Sequence, residues 1–195
     1  INEAKDSAYA NSKVEGENSI LKNFPLATIL RPSVVYSVDD NFTTNFMTLL
    51  NRLPFFPLYY SGKTKFSPIH CSDLTDTIYH VILNNIYSKI IECVGPEVFT
   101  FKEIIMKLLN LIGKKRILLS MPLTIAEMSA RIFEIMPKPL LTRDQLKLLK
   151  YDNIVSGKYK TNSDIGVPSV RHFDEEVKKY CYMWREGGQF STEKY

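Results

Sequence analysis

A chain of 195 residues that is 45% hydrophobic and 24% charged has enough apolar material to bury a core and too much to stay disordered. Its formal net charge of +4 comes from basic residues spread along the chain, not gathered on one face with aromatic platforms, which excludes a nucleic-acid binder; the densest basic stretch, 147–160, reads as solvated surface. Cys71, Cys93 and Cys181 are far apart and odd in number, which excludes a disulfide framework and fits a reducing compartment.

The elements follow in chain order. Residues 3–23 read as a helix, stopped by Asn23-Phe24-Pro25. Residues 26–36 form a nearly continuous apolar run, the pattern of a strand buried on both faces of a parallel sheet. Residues 39–53 read as a helix with Phe42, Phe46, Leu49, Leu50 and Leu53 on one side. A short strand is expected at 66–70, then a helix capped by Ser72 and running to about Asn84. A strand at 90–94 turns at Gly95-Pro96, Thr100 caps a helix to about Ile112, and a strand lies near 116–120. From about Leu123 an amphipathic helix places Ile125, Met128, Ile132 and Ile135 on one stripe, suited to packing on its own domain or lying on a membrane surface. Pro137 and Pro139 mark a turn, and further helices are expected from Thr142 and over 172–184. No stretch approaches the roughly 20 apolar residues of a membrane span.

Strands alternating with helices predict an α/β fold. We expect residues 1–61 to form the C-terminal half of a Rossmann-type domain that lacks its N-terminal strands. Residues 62–186 would form a smaller α-rich lobe of mixed α/β structure, and 187–195 a loose tail. His70, His80 and His172 have no metal-ligand spacing, so no metal is expected, and His70 beside Cys71 reads as strand-end packing. The chain opens on Ile1 rather than Met, so it is expected to begin inside a longer product.

Tyr9 and Lys13 carry the chemistry. Their i, i+4 spacing puts both on one helix face, where an ammonium favours the phenolate and a phenol can exchange a proton with a carbonyl or hydroxyl oxygen. The spacing alone is weak, since Tyr59 and Lys63 repeat it in a Gly-containing loop. Its surroundings are specific. Ser7-Ala8-Tyr9-Ala10-Asn11-Ser12-Lys13 with Gly16-Glu17 resembles the catalytic-helix signature of the extended and atypical short-chain dehydrogenase/reductases, the NAD-dependent epimerase/dehydratase superfamily. Ala27-Thr28-Ile29-Leu30-Arg31-Pro32-Ser33-Val34-Val35-Tyr36 resembles the strand that follows in that superfamily, and Lys65-Phe66-Ser67-Pro68-Ile69-His70-Cys71-Ser72-Asp73 its later strand-to-helix junction. Val94-Gly95-Pro96-Glu97 before Thr100-Phe101, Phe133-Glu134-Ile135, and Leu141-Thr142-Arg143-Asp144-Gln145 narrow the resemblance. It points to the nucleotide-binding accessory subunits of respiratory complex I (the NADH-ubiquinone oxidoreductase thirty-nine-kilodalton subunit) and their bacterial relatives, over nearly the whole chain.

The resemblance implies NADP(H) or NAD(H) as cofactor, with Tyr9 and Lys13 facing it and Pro32, Ser33 and Val34 as backbone neighbours of the nicotinamide. It implies a structural, accessory or assembly role linked to complex I or ubiquinone metabolism. An active NAD(P)-dependent reductase or epimerase with Tyr9 as proton donor is the alternative, and an interaction module with a vestigial site is another. Complex I subunits or a membrane surface are the partners it implies. The location would be cytoplasmic, peripheral on the inner membrane, or on the matrix side in a mitochondrion. The chain departs from the family pattern in three ways. It has no Gly-rich phosphate loop, it has no catalytic Ser or Thr upstream of Tyr9, and Ser37 stands where many relatives have Gly. Residues 1–195 alone are therefore expected to bind nucleotide poorly. Asp73 reads as a helix N-terminal charge, Arg31 as a strand-end residue facing solvent, and Asp144 as part of the turn capped by Thr142.

Overall fold

The computed structural model describes residues 4–122, 124, 125, 127 and 142–190. Most of the amphipathic helix expected from Leu123, with Met128, Ile132 and Ile135, and the turn at Pro137 and Pro139 lie outside these residues; Ile125 is exposed. The architecture is α/β, with parallel pairing dominant.

Helix α1, Ala8–Asn23, begins later than the sequence predicts, because Ser7 has extended backbone and its hydroxyl accepts from the Ala10 amide. The expected strand over 26–36 is two strands, β1 Ile29–Pro32 and β2 Val35–Tyr36, with different partners. Pro32 has no N–H to give a ladder, and the Ser33 amide makes the last bond of the β1 pairing, to the Cys93 carbonyl (2.9 Å). Helix α2, Thr43–Arg52, starts where Asp40 accepts from the amides of Phe42 (2.9 Å) and Thr44 (3.0 Å). At its other end Arg116 donates to the carbonyls of Leu50 (2.8 Å) and Asn51 (3.1 Å), which have no partner within the helix.

Strand β3, Phe55–Tyr59, is not foreseen from the sequence because Pro54 and Pro57 read as breakers. Pro57 is tolerated because β3 has, among the described residues, one neighbour, the parallel β8, Ile117–Met121. In place of one strand at 66–70 there are β4, Lys65–Phe66, and β5, Ile69–His70, parted by Ser67-Pro68. Helix α3, Cys71–Leu83, is capped by His70 and not by Ser72: the imidazole Nδ1 accepts from the Ser72 amide (3.3 Å). Strand β6, Ile90–Cys93, pairs parallel with β1 and with β9, Lys160–Thr161, giving a sheet of order β1-β6-β9. Strand β7, Phe99–Thr100, pairs antiparallel with β4 and leads into α4, Phe101–Leu111, which has the expected Thr100 cap plus a reciprocal Glu103 bond. Helix α5, Arg143–Leu148, has the same box from Thr142 and Gln145. Helix α6, Phe173–Lys178, is shorter than the expected 172–184; Cys181–Trp184 is a 3-10 turn, with the Cys181 thiol 3.5 Å from the Lys178 carbonyl.

The main core lies between α2, α4 and α6. Met47, Leu50, Ile104, Ile105, Leu108 and Val177 are fully buried there, each contributing roughly 2 kcal/mol of transfer free energy. Phe46 binds it together, its ring 5.3 Å from Phe101 and 5.9 Å from Phe56. A second cluster under the parallel sheet holds Ile69, Ile91 and Cys93 with Leu30, Val35 and Leu74. A small third one, Tyr59 and Leu146 with Met121 and Leu149, ties α5 to the β3–β8 pair.

Candidate functional site

The site is built on α1. The first four amides of a helix have no partner inside it. In α1 all four are satisfied. Ser7 takes the Ala10 amide on its hydroxyl (3.2 Å), and its own amide donates to the Ala4 carbonyl (2.9 Å). Asp144, from α5, takes the Ala8 amide (2.8 Å) and the Tyr9 amide (3.1 Å), and also the Ser7 hydroxyl (2.9 Å). Partial desolvation would push the Asp144 carboxyl up. The hydrogen bonds from the Tyr9 amide, the Ser7 hydroxyl and the Ala8 amide outweigh that and hold it below the usual carboxylate range. The helix-opening role expected of Asp144 thus gains a second end, at α1.

Tyr9 and Lys13 share a face of α1, as their spacing requires, with the Lys13 Nζ 5.4 Å from the Tyr9 ring centroid. Tyr9 is 51% exposed and Lys13 is exposed. Among the described residues neither the Tyr9 hydroxyl nor the Lys13 ammonium has a protein hydrogen-bond partner. Further along α1, Glu17 holds Arg31 of β1 in a two-bond fork (3.0 and 2.6 Å), and the guanidinium lies 4.7 Å from the centre of the Tyr159 ring. The Glu17 bond is the main cause that raises the Arg31 pKa further. Arg31 is thus not the solvent-facing strand end that the sequence led us to expect: it ties the Tyr9 helix to the sheet.

The β1–β2 connection brings Pro32, Ser33 and Val34 to the end of the sheet. Pro32 is exposed and Ser33 buried. Both donors of Ser33 are used inside the protein, the amide by Cys93 and the hydroxyl by the Asn153 carbonyl (2.9 Å), while the Val34 carbonyl accepts from Ile69 (2.9 Å). Ser37, the departure from Gly, donates its amide to Asp40 (3.1 Å) and is not among the residues with left-handed backbone.

The stretch 142–153 links these parts. Lys147 donates to the Asp6 carbonyl (2.7 Å), the Tyr151 hydroxyl to the Asp6 carboxylate (3.2 Å), Asp152 accepts from the Lys65 amide (2.8 Å), and Asn153 meets Ser33. Lys150 and Asp152 also line an open depression of about 580 Å³ with Tyr60, Lys63 and Ser120. Burial, with the Asp6 carboxylate adding to it, raises the Tyr60 pKa. None of these long-range partners carries a signal at short sequence range. The Leu141-to-Gln145 motif marked the start of the segment.

His70 packs edge-on against Tyr36, with ring centroids 5.3 Å apart, the strand-end role expected of it. Burial lowers its pKa, against the pull of Glu176, 3.8 Å away. Asp73, 3% exposed, stands in the first turn of α3 as expected. It is met there by the Arg171 guanidinium and the Arg171 amide (3.2 Å). Among the described residues no group of three or more His, Cys, Asp or Glu is placed to hold a metal ion, and no helix is long and apolar enough to cross a membrane.

This is the fold of the NAD-binding dehydratases and epimerases. Residues of the chain superpose on dTDP-glucose 4,6-dehydratase from Bacillus anthracis in complex with NAD with a TM-score of 0.62. The match covers 91% of this chain and 51% of that one at 15% identity. UDP-glucose 4-epimerase from Thermus thermophilus, also in complex with NAD, gives 0.56 over 87% of this chain and 50% of its own at 14% identity. In sequence the chain is similar to subunits of mitochondrial NADH dehydrogenase. It is 27% identical over 193 residues to the 1 alpha subcomplex subunit 9 of Arabidopsis thaliana, covering 93% of this chain and 48% of that protein. It is 31% identical over 102 residues to the Dictyostelium discoideum subunit, covering 52% of this chain and 28% of that one. The 40 kDa NADH-ubiquinone oxidoreductase subunit of Neurospora crassa matches at 23% over 158 residues, 80% of this chain and 41% of its own. The chain spans about half the length of the first of these relatives, and no family model matches it.

Proposed function

We propose that a protein carrying this chain is an NAD(P)-binding accessory or assembly component linked to respiratory complex I or to ubiquinone metabolism, with Tyr9 and Lys13 facing the nucleotide. The observation that carries this reading is the pair of polar groups on α1, a hydroxyl and an ammonium on one face, both open to solvent and without a protein hydrogen-bond partner among the described residues. Homology to the mitochondrial subunits along 93% of the chain supports the setting. The partners would be other complex I subunits or a membrane surface, on the matrix side of a mitochondrion or its bacterial equivalent.

The residues present fit one end of the cofactor. Lys13 can donate to ribose hydroxyls, and Pro32 and Val34 would flank the nicotinamide as backbone neighbours. Ser33 would act only by shaping that loop, since its donors are used. The phosphates need a different cradle, because the N-terminus of α1 is already filled by Asp144 and no Gly-rich loop is present among the eight glycines. The nicotinamide, when bound, supplies hydride exchange. Tyr9 would hold a proton at its hydroxyl beside the Lys13 charge, positioned to pass it to a carbonyl oxygen.

That half-exposed hydroxyl also favours a second reading, an active reductase or epimerase. A Tyr9→Phe substitution separates the two. In an accessory subunit, assembly of the complex and retained nucleotide stay at the unsubstituted level. In an enzyme the same change lowers turnover by about 100-fold or more. We expect the first result, read from native gels and from released nucleotide; a turnover abolished by Tyr9→Phe would overturn it.

A further inference from the structure

We infer that Asp144 is the positioning residue for Tyr9, holding the first turn of its helix from a segment more than a hundred residues away. The inference rests on the reading of Tyr9 and Lys13 as the nucleotide-facing pair. Asp144 is not needed to close its own helix, because the Thr142 and Gln145 box already does so. Its two carboxylate oxygens instead take three donors from Ser7, Ala8 and Tyr9. The first turn of α1 has no acidic residue of its own, so Asp144 supplies the negative charge that the exposed amides and the helix dipole call for. One helical turn on, Lys147 grips the Asp6 carbonyl, and Tyr151 grips the Asp6 carboxylate. Residues 6–9 are thus clasped at both backbone and side chain by one short segment. That clasp fixes where α1 begins and therefore the direction in which Tyr9 leaves it. Glu17 and Arg31 fix the same helix to the sheet farther along, so its two attachments define its axis.

The test uses the longer protein that carries this chain, with Asp144→Ala, Asp144→Asn and, as a control of equal charge change, Asp174→Ala on α6. Amide hydrogen exchange is followed residue by residue. A hydrogen bond to a charged group is worth enough that the Ala8 and Tyr9 amides should exchange at least about 10-fold faster in Asp144→Ala. In Asp144→Asn, which keeps one acceptor, the gain should be smaller, and amides in α4 should stay as protected as before in both. NADH and NADPH titrations, run alongside, should show weakening by about 10-fold in Asp144→Ala and no change in Asp174→Ala. Uniform loss of protection, α4 included, would make Asp144 a general stability residue and overturn the inference. So would unchanged Ala8 and Tyr9 amides, or their selective deprotection with nucleotide affinity intact. An unsubstituted protein that binds neither nucleotide would sink the functional reading while leaving the exchange result to stand or fall by itself.

Discussion

Gly95→Ala should destabilise the protein strongly. An added Cβ would sit 1.7 Å from the carbonyl oxygen of Pro68 and 2.7 Å from its carbon. Both are backbone atoms immediately before β5, and the Gly95 amide donates to the neighbouring Ser67 carbonyl (3.2 Å), so the two segments cannot part without losing that bond. Overpacking of this kind costs about 3 kcal/mol or more, against roughly 1 kcal/mol for the same change at Gly157. Gly157 has a left-handed backbone but nothing within 4 Å of the added atom. Thermal unfolding of the two variants, followed by circular dichroism, reads the difference. Equal melting points would refute the close approach.

The second large effect is expected at Arg171. Its guanidinium meets Asp73, which is 3% exposed, and reaches Asp76 at 3.0 Å. Replacing Arg171 by Met leaves the Asp73 carboxylate buried with the Arg171 amide and the α3 N-terminus as support. Breaking a buried pair in this way costs 3–5 kcal/mol in general; with the arginine side chain 31% exposed, about 2–3 kcal/mol is expected here. Adding Asp73→Asn removes the stranded charge and should recover about half of the loss. Denaturant unfolding of the single and double variants is the measurement. A double variant no more stable than Arg171→Met would mean that the charge itself is not the source of the cost.

The contrast between these residues explains what was legible. The shared helix face of Tyr9 and Lys13, the Thr100 and Thr142 caps, and the strands at 90–93 and 117–121 follow from neighbours a few residues away, so spacing and patterning reveal them. The α/β class follows from the same local periodicity. Strand β3 escaped because two prolines hide a strand whose partner among the described residues, β8, lies 62 residues on (Phe55 to Ile117). His70 escaped as the α3 cap because an imidazole is an uncommon acceptor at that position. Within the site, Asp144, Glu17 with Arg31, and Asn153 with Ser33 join segments that only the folded chain brings together. No local rule assigns such partners. The reason for Gly95 likewise becomes visible only when Pro68 is seen against it.

We propose that the Tyr9–Lys13 face belongs to a bound nicotinamide nucleotide that an accessory subunit keeps rather than turns over. The most direct measurement is made on the longer protein purified without added nucleotide. It is passed through gel filtration and denatured, and what it releases is identified and counted. The account predicts NADPH or NADH near one per chain, released only on denaturation. Nucleotide that binds but washes off, with a substrate turned over, would contradict the accessory role in favour of an enzyme; no binding at millimolar nucleotide would contradict the claim altogether and leave an interaction module with a relic pair.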